Sequence, residues 1–320
     1  LSGVEAGIAE TWQRQVEGTW HGFPSIFDAT GRHLGHVQAD RSIFERGGER
    51  LIQVKTTVDC AEPTRSRLEH AQHLLRVKHA GTSRVYDGED FFGAGLPYGS
   101  LVLGSDYCLP WTSDNRVTVH VLPDGKTQAY STLLYQGPAI HAVINGIYRL
   151  SHDYASNAET RAQIDAFVAG EKAIGARPYL LPKRGKGTFT GELEVYSASQ
   201  EKVGRSAVSI AYTPVGLARA ETVLRMDGPI ARELRFVRTR HENQHFFEGP
   251  DVFGNAIGYG RALYTTQHVR GEALRIRGRE FILDDRHTMS VVWELFRDDR
   301  LEHVAHGVLT FRGEGEGDAS

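Results

Sequence analysis

Residues 88–99 read GEDFFGAGLPYG and residues 249–260 read GPDVFGNAIGYG, so the chain writes one stretch twice. At a constant offset (249 − 88 = 161), Gly88, Asp90, Phe92, Gly93, Tyr98 and Gly99 fall on Gly249, Asp251, Phe253, Gly254, Tyr259 and Gly260. Six identities in twelve ungapped positions are hard to reach by chance. The shared types set shape: glycines where the backbone needs room, one carboxylate and two aromatics.

The duplication extends outward. GTWHGFPSIFDATGRHLG (18–35) lies on GTFTGELEVYSASQEKVG (187–204) at offset 187 − 18 = 169, with Gly18, Thr19, Gly22, Ala29 and Gly35 repeated and Trp20 replaced by Phe189. Downstream, GSDYCL (104–109) matches GREFIL (278–283), and YQG (135–137) matches FRG (311–313), which implies offsets of 174 and 176. Loops that change length between persistent strands would produce such drift. A period this long means two copies of a domain, since solenoid repeats run to a few tens of residues.

Composition agrees with two soluble globular domains: 320 residues, of which 40% are hydrophobic and 24% charged. A net charge of −3 supplies no whole-chain attraction to nucleic acid or an anionic membrane, and no apolar run is long enough to span a bilayer. No signal-peptide pattern opens the chain, although a start at Leu1 leaves a trimmed leader open. Two cysteines, Cys60 and Cys108, make no disulfide framework, so a reduced cytoplasmic setting is expected.

Residues 4–17 carry Ile8, Trp12 and Val16 on one helical stripe that ends at Gly18. Residues 156–174 form a second helix that starts at Ser156 or Asn157 and is stopped by Gly175 and Pro178. Elsewhere short alternating runs are separated by turn formers, most clearly in the hairpin 116–137 around PDGK. Each copy therefore reads as a helix followed by about eight strands, a pattern that suits a closed up-and-down barrel with room for one ligand; a sandwich is the alternative. Domain limits of 1–150 and 151–320 follow, with the helix 156–174 as connector.

The helix followed by Gly-x-Trp/Phe-x-Gly, at Gly18, Trp20 and Gly22 and again at Gly187, Phe189 and Gly191, resembles the opening of lipocalin-like (calycin) barrels. In tandem, it resembles the two-barrel proteins that include carotenoid hydratases and natural-product cyclases (Diels–Alderases). The resemblance implies that the aromatic closes each barrel floor. It carries no catalytic motif across, and the second copy, with Phe for Trp, lacks the indole donor.

Chemistry is sought inside the barrels. In ALRIRGREFILD (273–284), Leu274, Ile276, Gly278, Glu280 and Ile282 share one face and three arginines the other, so Glu280 points inward. Asp106 shares a face with Val102, Gly104 and Cys108. An inward carboxylate is a general acid if burial raises its pKa, or a structural group held by the barrel's own arginine or tyrosine; the structural reading is the commoner. Asp106, Glu280 and the neighbouring donor Tyr107 are the candidate catalytic groups. Trp111, Trp293, Tyr98, Tyr259, Phe92 and Phe253 are the candidate ligand-binding aromatics. His120 and the basic run 232–240 are expected to face solvent.

The histidine pairs His33/His36, His70/His73 and His303/His306 are spaced to point to opposite strand faces. His241/His245 has no third ligand at a recognisable spacing, so no metal is expected. Neither a P-loop nor a GxSxG elbow occurs, and no cofactor is expected. The expected function is a cofactor-independent cyclase, isomerase or hydratase acting on a largely apolar small molecule of specialised metabolism. A non-catalytic carrier with the same cavity is the alternative. The sequence leaves open whether two barrels dock within one chain or across a homodimer.

Overall fold

The computed structural model describes residues 3–69, 72–177, 186–283 and 287–313. They form antiparallel strands with three α-helices: α1 (Gly3–Val16), α2 (Thr64–Leu68) and α3 (Ala158–Ile174). The chain divides into two units, Leu1–Ala176 and Arg177–Ser320, so the boundary follows α3.

In the second unit ten consecutive strands each pair with the next, and Arg300–Gly313 returns to Gly187–Ser197 to close a barrel. The first unit has the same order, with its opening strand broken into Gly18–Gly22 and Ser25–Asp28. Both pieces bridge His33–Arg46 on one side and Ala139–Ser151 on the other, closing a ring of ten staves. Ten, not about eight, is the count because five-residue strands such as Ser83–Asp87 and Gln244–Glu248 are too short to show a period.

Register fixes which strand matches which. Leu101–Cys108 takes the place of Ala262–Val269 (262 − 101 = 161), and Ser113–Val121 that of Leu274–Ile282 (274 − 113 = 161). Thr127–Gln136 takes the place of Thr288–Arg297 (288 − 127 = 161). Upstream, the pair Gly18↔Ile43 matches Gly187↔Tyr212, both shifted by 169. The offset changes where the first copy carries α2 between Cys60 and Gln72, while the second crosses from Met226 to Arg232. The downstream offsets of 174 and 176 are therefore corrected: they skip one strand. Asp106 corresponds to Gln267 and Glu280 to Val119.

The two aromatics that the resemblance assigns to the barrel floors are both buried. Trp20 is fully buried, and its indole Nε1 donates to the Val16 carbonyl at the end of α1 (2.8 Å), satisfying one of the helix's terminal acceptors. Phe189 is equally buried and has no donor to offer. Helix α1 lays Trp12 and Val16 into the first barrel.

Helix α3 begins where Asn157 accepts from the Glu159 and Thr160 amides and ends at Gly175. It packs on Ala139–Ser151 and Gly18–Gly22 of the first barrel. Pro178, His70 and the tail 314–320 lie outside the described residues.

Candidate functional site

The first barrel is hollow. A cavity of about 170 Å³ has Ile52, Leu75, Val102 and Val119 among its apolar walls and Arg41, Arg84, Asp106, Asn115, Gln128 and Thr132 as its polar groups. A smaller cavity of about 100 Å³ adjoins it and shares Arg41, Val54, Trp111 and Tyr130.

The twin barrel explains the hollow. At the places of Arg41, Asn115, Gln128, Tyr130 and Thr132, the second copy has Ile210, Ile276, Met289, Val291 and Trp293, all buried in one core cluster. Where Thr132 leaves space, an indole fills it. The second barrel also holds a buried pair, Arg238 Nη1 to Glu280 Oε2 at 3.4 Å. Arg238 further donates to the Tyr212 hydroxyl (3.2 Å) and to His245 Nδ1 (3.2 Å). Desolvation and the adjacent guanidinium push the His245 pKa down to about 2, so this imidazole stays neutral. Glu280 is thus held by an arginine and a tyrosine network, as in the structural reading. Arg238, within the basic run expected to face solvent, turns inward on the face of Leu234 and Phe236.

Asp106 faces the cavity. Its neighbour across one strand pair is Gly93, whose Cβ, if it had one, would stand 2.3 Å from that of Asp106; only glycine leaves the carboxylate its place. Across the other pair Asn115 Nδ2 donates to Asp106 Oδ1 (2.6 Å). Ser113 Oγ donates to Asn115 Oδ1 (2.8 Å), which fixes the amide's orientation, and His141 Nε2 lies 3.3 Å from that Oγ. The second carboxyl oxygen has no hydrogen-bond partner among the described residues. Burial raises the Asp106 pKa to about 7, against the lowering pull of the Asn115 hydrogen bond and of Arg116. A carboxyl so placed can hold a proton at neutral pH and present it to a bound molecule.

The other expected site residues divide by strand parity. Trp111 lines the cavity, and its indole donates to the Leu68 carbonyl (3.2 Å), so α2 and Trp111 together wall one side. Phe92, 63% exposed, and Tyr107, 42% exposed, form a cross-strand pair on the outer face and cannot line the interior. Phe253, 46% exposed, likewise lies outside, stacked on His268. Tyr98 and Tyr259 are buried but not in the cavity wall, and Trp293 is core of the second barrel. Phe91, one residue from the expected Phe92, reaches the cavity in its stead, and Trp12, Tyr86 and Tyr130 line it too. Sequence reading missed Arg41, Arg84 and Gln128 because it assigned charged and polar side chains to the outside; for Arg41 the alternation with Val37, Ala39 and Ile43 was the available signal.

Three further arrangements were candidates for chemistry. His21 lies between Asp40 (Nδ1 to Oδ1, 2.7 Å) and Ser151 (Nε2 to Oγ, 2.8 Å), the connectivity of a nucleophilic triad. Ser151 is only 4% exposed and does not line the adjoining cleft against α3, so no substrate carbonyl reaches its hydroxyl. His33 and His36 meet edge to face at 4.7 Å, contrary to the expected opposite faces, because a register shift between Ile26 and Phe27 inserts a bulge there. Among the described residues no third ligand joins them. His120 is buried and not solvent-facing, and Cys60 and Cys108 are both free thiols.

No family model matches the chain, and no curated protein does. Among solved structures, a protein of unknown function from the DUF3598 family of Nostoc punctiforme superposes with a TM-score of 0.60 at 11% identity. The alignment covers 96% of this chain and 98% of that one. That likeness is of fold alone. Kievitone hydratase from Nectria haematococca aligns at a TM-score of 0.19 and 8% identity over 96% and 92% of the two chains. The di-domain ARO/CYC protein StfQ of the steffimycin biosynthetic pathway aligns at 0.14 and 11% over 98% and 82%. Scores this low carry no argument about this chain. Among the described residues, no helix is long and apolar enough to cross a membrane.

Proposed function

We propose that the first barrel is a reaction chamber for a largely apolar small molecule, and that the protein is a cofactor-independent cyclase, isomerase or hydratase with Asp106 as its general acid. The observation that supports this reading is the Asp106 carboxyl, its pKa raised by burial to about 7, facing a cavity with largely apolar walls and oriented by Asn115 and Ser113. Apolar walls fold the substrate into a reactive conformation, so that orientation supplies part of the rate. The acid then protonates or polarises the group that develops charge. Tyr107 has no part in this scheme because it stands on the outer face, and Glu280 has none because Arg238 holds it inside the other barrel.

The test has two steps. Native mass spectrometry of the protein purified from its own host, followed by organic extraction, names the bound molecule, and turnover is then assayed on that molecule and its precursors. Asp106→Asn is expected to lower turnover by roughly 10²–10⁴-fold and to leave ligand affinity within about twofold. An unaltered rate removes Asp106 from the chemistry. A bound ligand that is never converted makes the chamber a carrier.

A further inference from the structure

Among the described residues the cavity wall carries two guanidinium groups, and its one carboxyl, Asp106, pairs with neither. Arg84 is 1% exposed and forms part of the cavity wall; its Nη2 donates to Gln13 Oε1 on α1 (2.8 Å), and its Nε is buried with no acceptor among the described residues. Arg41, in the same wall, donates to Gln128 Oε1 and lies over the rings of Tyr130 and Tyr148, yet its Nε is likewise without an acceptor. The Gln128 Nε2 and Thr132 Oγ1 beside them are also buried and unbonded. Among the described residues no carboxylate forms an ion pair with either guanidinium, and Asp106 is engaged by Asn115 instead. Arginine does not shed its proton in proteins, so two like charges remain in a largely apolar chamber and repel each other.

The second barrel supplies the contrast. Its buried arginine, Arg238, meets Glu280, and the first-barrel places of those two residues are Val77 and Val119. The place of Arg84 is taken there by His245, which stays neutral. One copy thus neutralises its interior from within, whereas the other keeps its cations uncompensated beside a cavity.

We propose that the ligand of the first barrel is an amphipathic monocarboxylic acid whose carboxylate is received by Arg84 and Arg41. The planar fork of a guanidinium matches a carboxylate, and the unbonded Gln128 amide and Thr132 hydroxyl are further donors. Across the sheet from Arg84 the row continues through Gly95 and Gly104 to Val117, and the Tyr86 hydroxyl lies over Gly95, 2.8 Å from where a Cβ would stand. Asp106 lies two strands over and two residues along from Arg84, roughly 10 Å by 7 Å in sheet dimensions. An acid anchored at Arg84 therefore presents a carbon several bonds from its carboxylate to the Asp106 proton. This inference rests on reading the first barrel as a small-molecule chamber.

Isothermal titration of the full chain with decanoate and with decan-1-ol, at about pH 6 where decanoate is ionised and Asp106 is protonated, separates the two ideas. The expected result is decanoate binding at least about tenfold tighter than decan-1-ol. Arg84→Met and Arg41→Met each then lower decanoate affinity by about tenfold or more, with the alcohol within about twofold of wild type. A second readout is the melting temperature without ligand: Arg84→Met is expected to keep or raise it, since an uncompensated buried charge is removed. Should that variant fail to fold, Arg41→Met carries the comparison. Acid and alcohol binding equally well, or an acid preference that survives both substitutions, overturns the carboxylate site and leaves the chamber. Binding of neither probe overturns both readings.

Discussion

Asp106 shows how a residue's neighbours decide its chemistry. Its pKa near 7 lies above the value of about 3.9 expected in the unfolded chain, so between those pH values the folded protein binds the extra proton. Stability from this group is therefore fully present below about pH 4 and is lost as pH rises through about 7. Asp106→Asn is expected to remove that slope, leaving the variant more stable than wild type above pH 7 by at most a few kcal/mol and nearly equal near pH 4. Denaturant titrations of the first barrel across that range check it, and parallel pH profiles of the two proteins would dismiss the buried-acid account. Glu280 is the opposite case. Glu280→Gln leaves Arg238 buried beside a neutral amide and is expected to cost about 3–5 kcal/mol, whereas replacing both partners by apolar residues restores most of it. Amide exchange in Leu274–Ile282 and Arg232–His241 reports the difference. That Glu280 points inward was legible from alternation alone. That Arg238 meets it was not, because RELRFVRTR reads as an outer face until the strand is placed.

At the scale of elements, what the sequence disclosed depended on how much of a period each one carries. Helix α3 was legible to within two residues at its start because Asn157 and Gly175 are local signals. The outward placement of Phe92 and Tyr107 was not, since a shift of one residue exchanges the faces of a strand and GEDFFG offers two adjacent aromatics to choose from. Helix α2 stands where the second copy crosses from Met226 to Arg232 with a single 3-10 turn, Gly228–Ile230. It brings Leu68 against the smaller cavity and offers its carbonyl to Trp111. Trp111→Phe is expected to lose that bond and loosen the wall, so ligand dissociation accelerates several-fold while the acid's chemistry stays intact; stopped-flow displacement measures it. Unchanged dissociation would mean the ligand leaves by another route.

For the whole molecule, duplication was the strongest message in the sequence, and it stands, with ten strands in each copy and an offset that shifts by one residue after the second strand and by nine at α2. What failed was the alignment after Tyr98. Short motifs such as GSDYCL and GREFIL resemble each other by chance once the glycine-rich signal ends, and only hydrogen-bond register distinguishes one strand from the next. Each unit encloses its own core, so separate expression is a direct test: residues 1–176 alone are expected to retain ligand binding, and residues 177–320 alone to fold without binding. Binding by the second fragment would contradict the filled interior assigned to it.

The pairing of Val77 with Arg238 and of Val119 with Glu280 has a consequence for ancestry. After the gene doubled, a vessel and a solid pillar could diverge from one tube without any change of architecture. A few inward positions separate the two states, and each copy preserves the answer the other did not take. Exchanging Val77→Arg and Val119→Glu into the vessel, or their reverse into the pillar, would retrace that divergence in the laboratory.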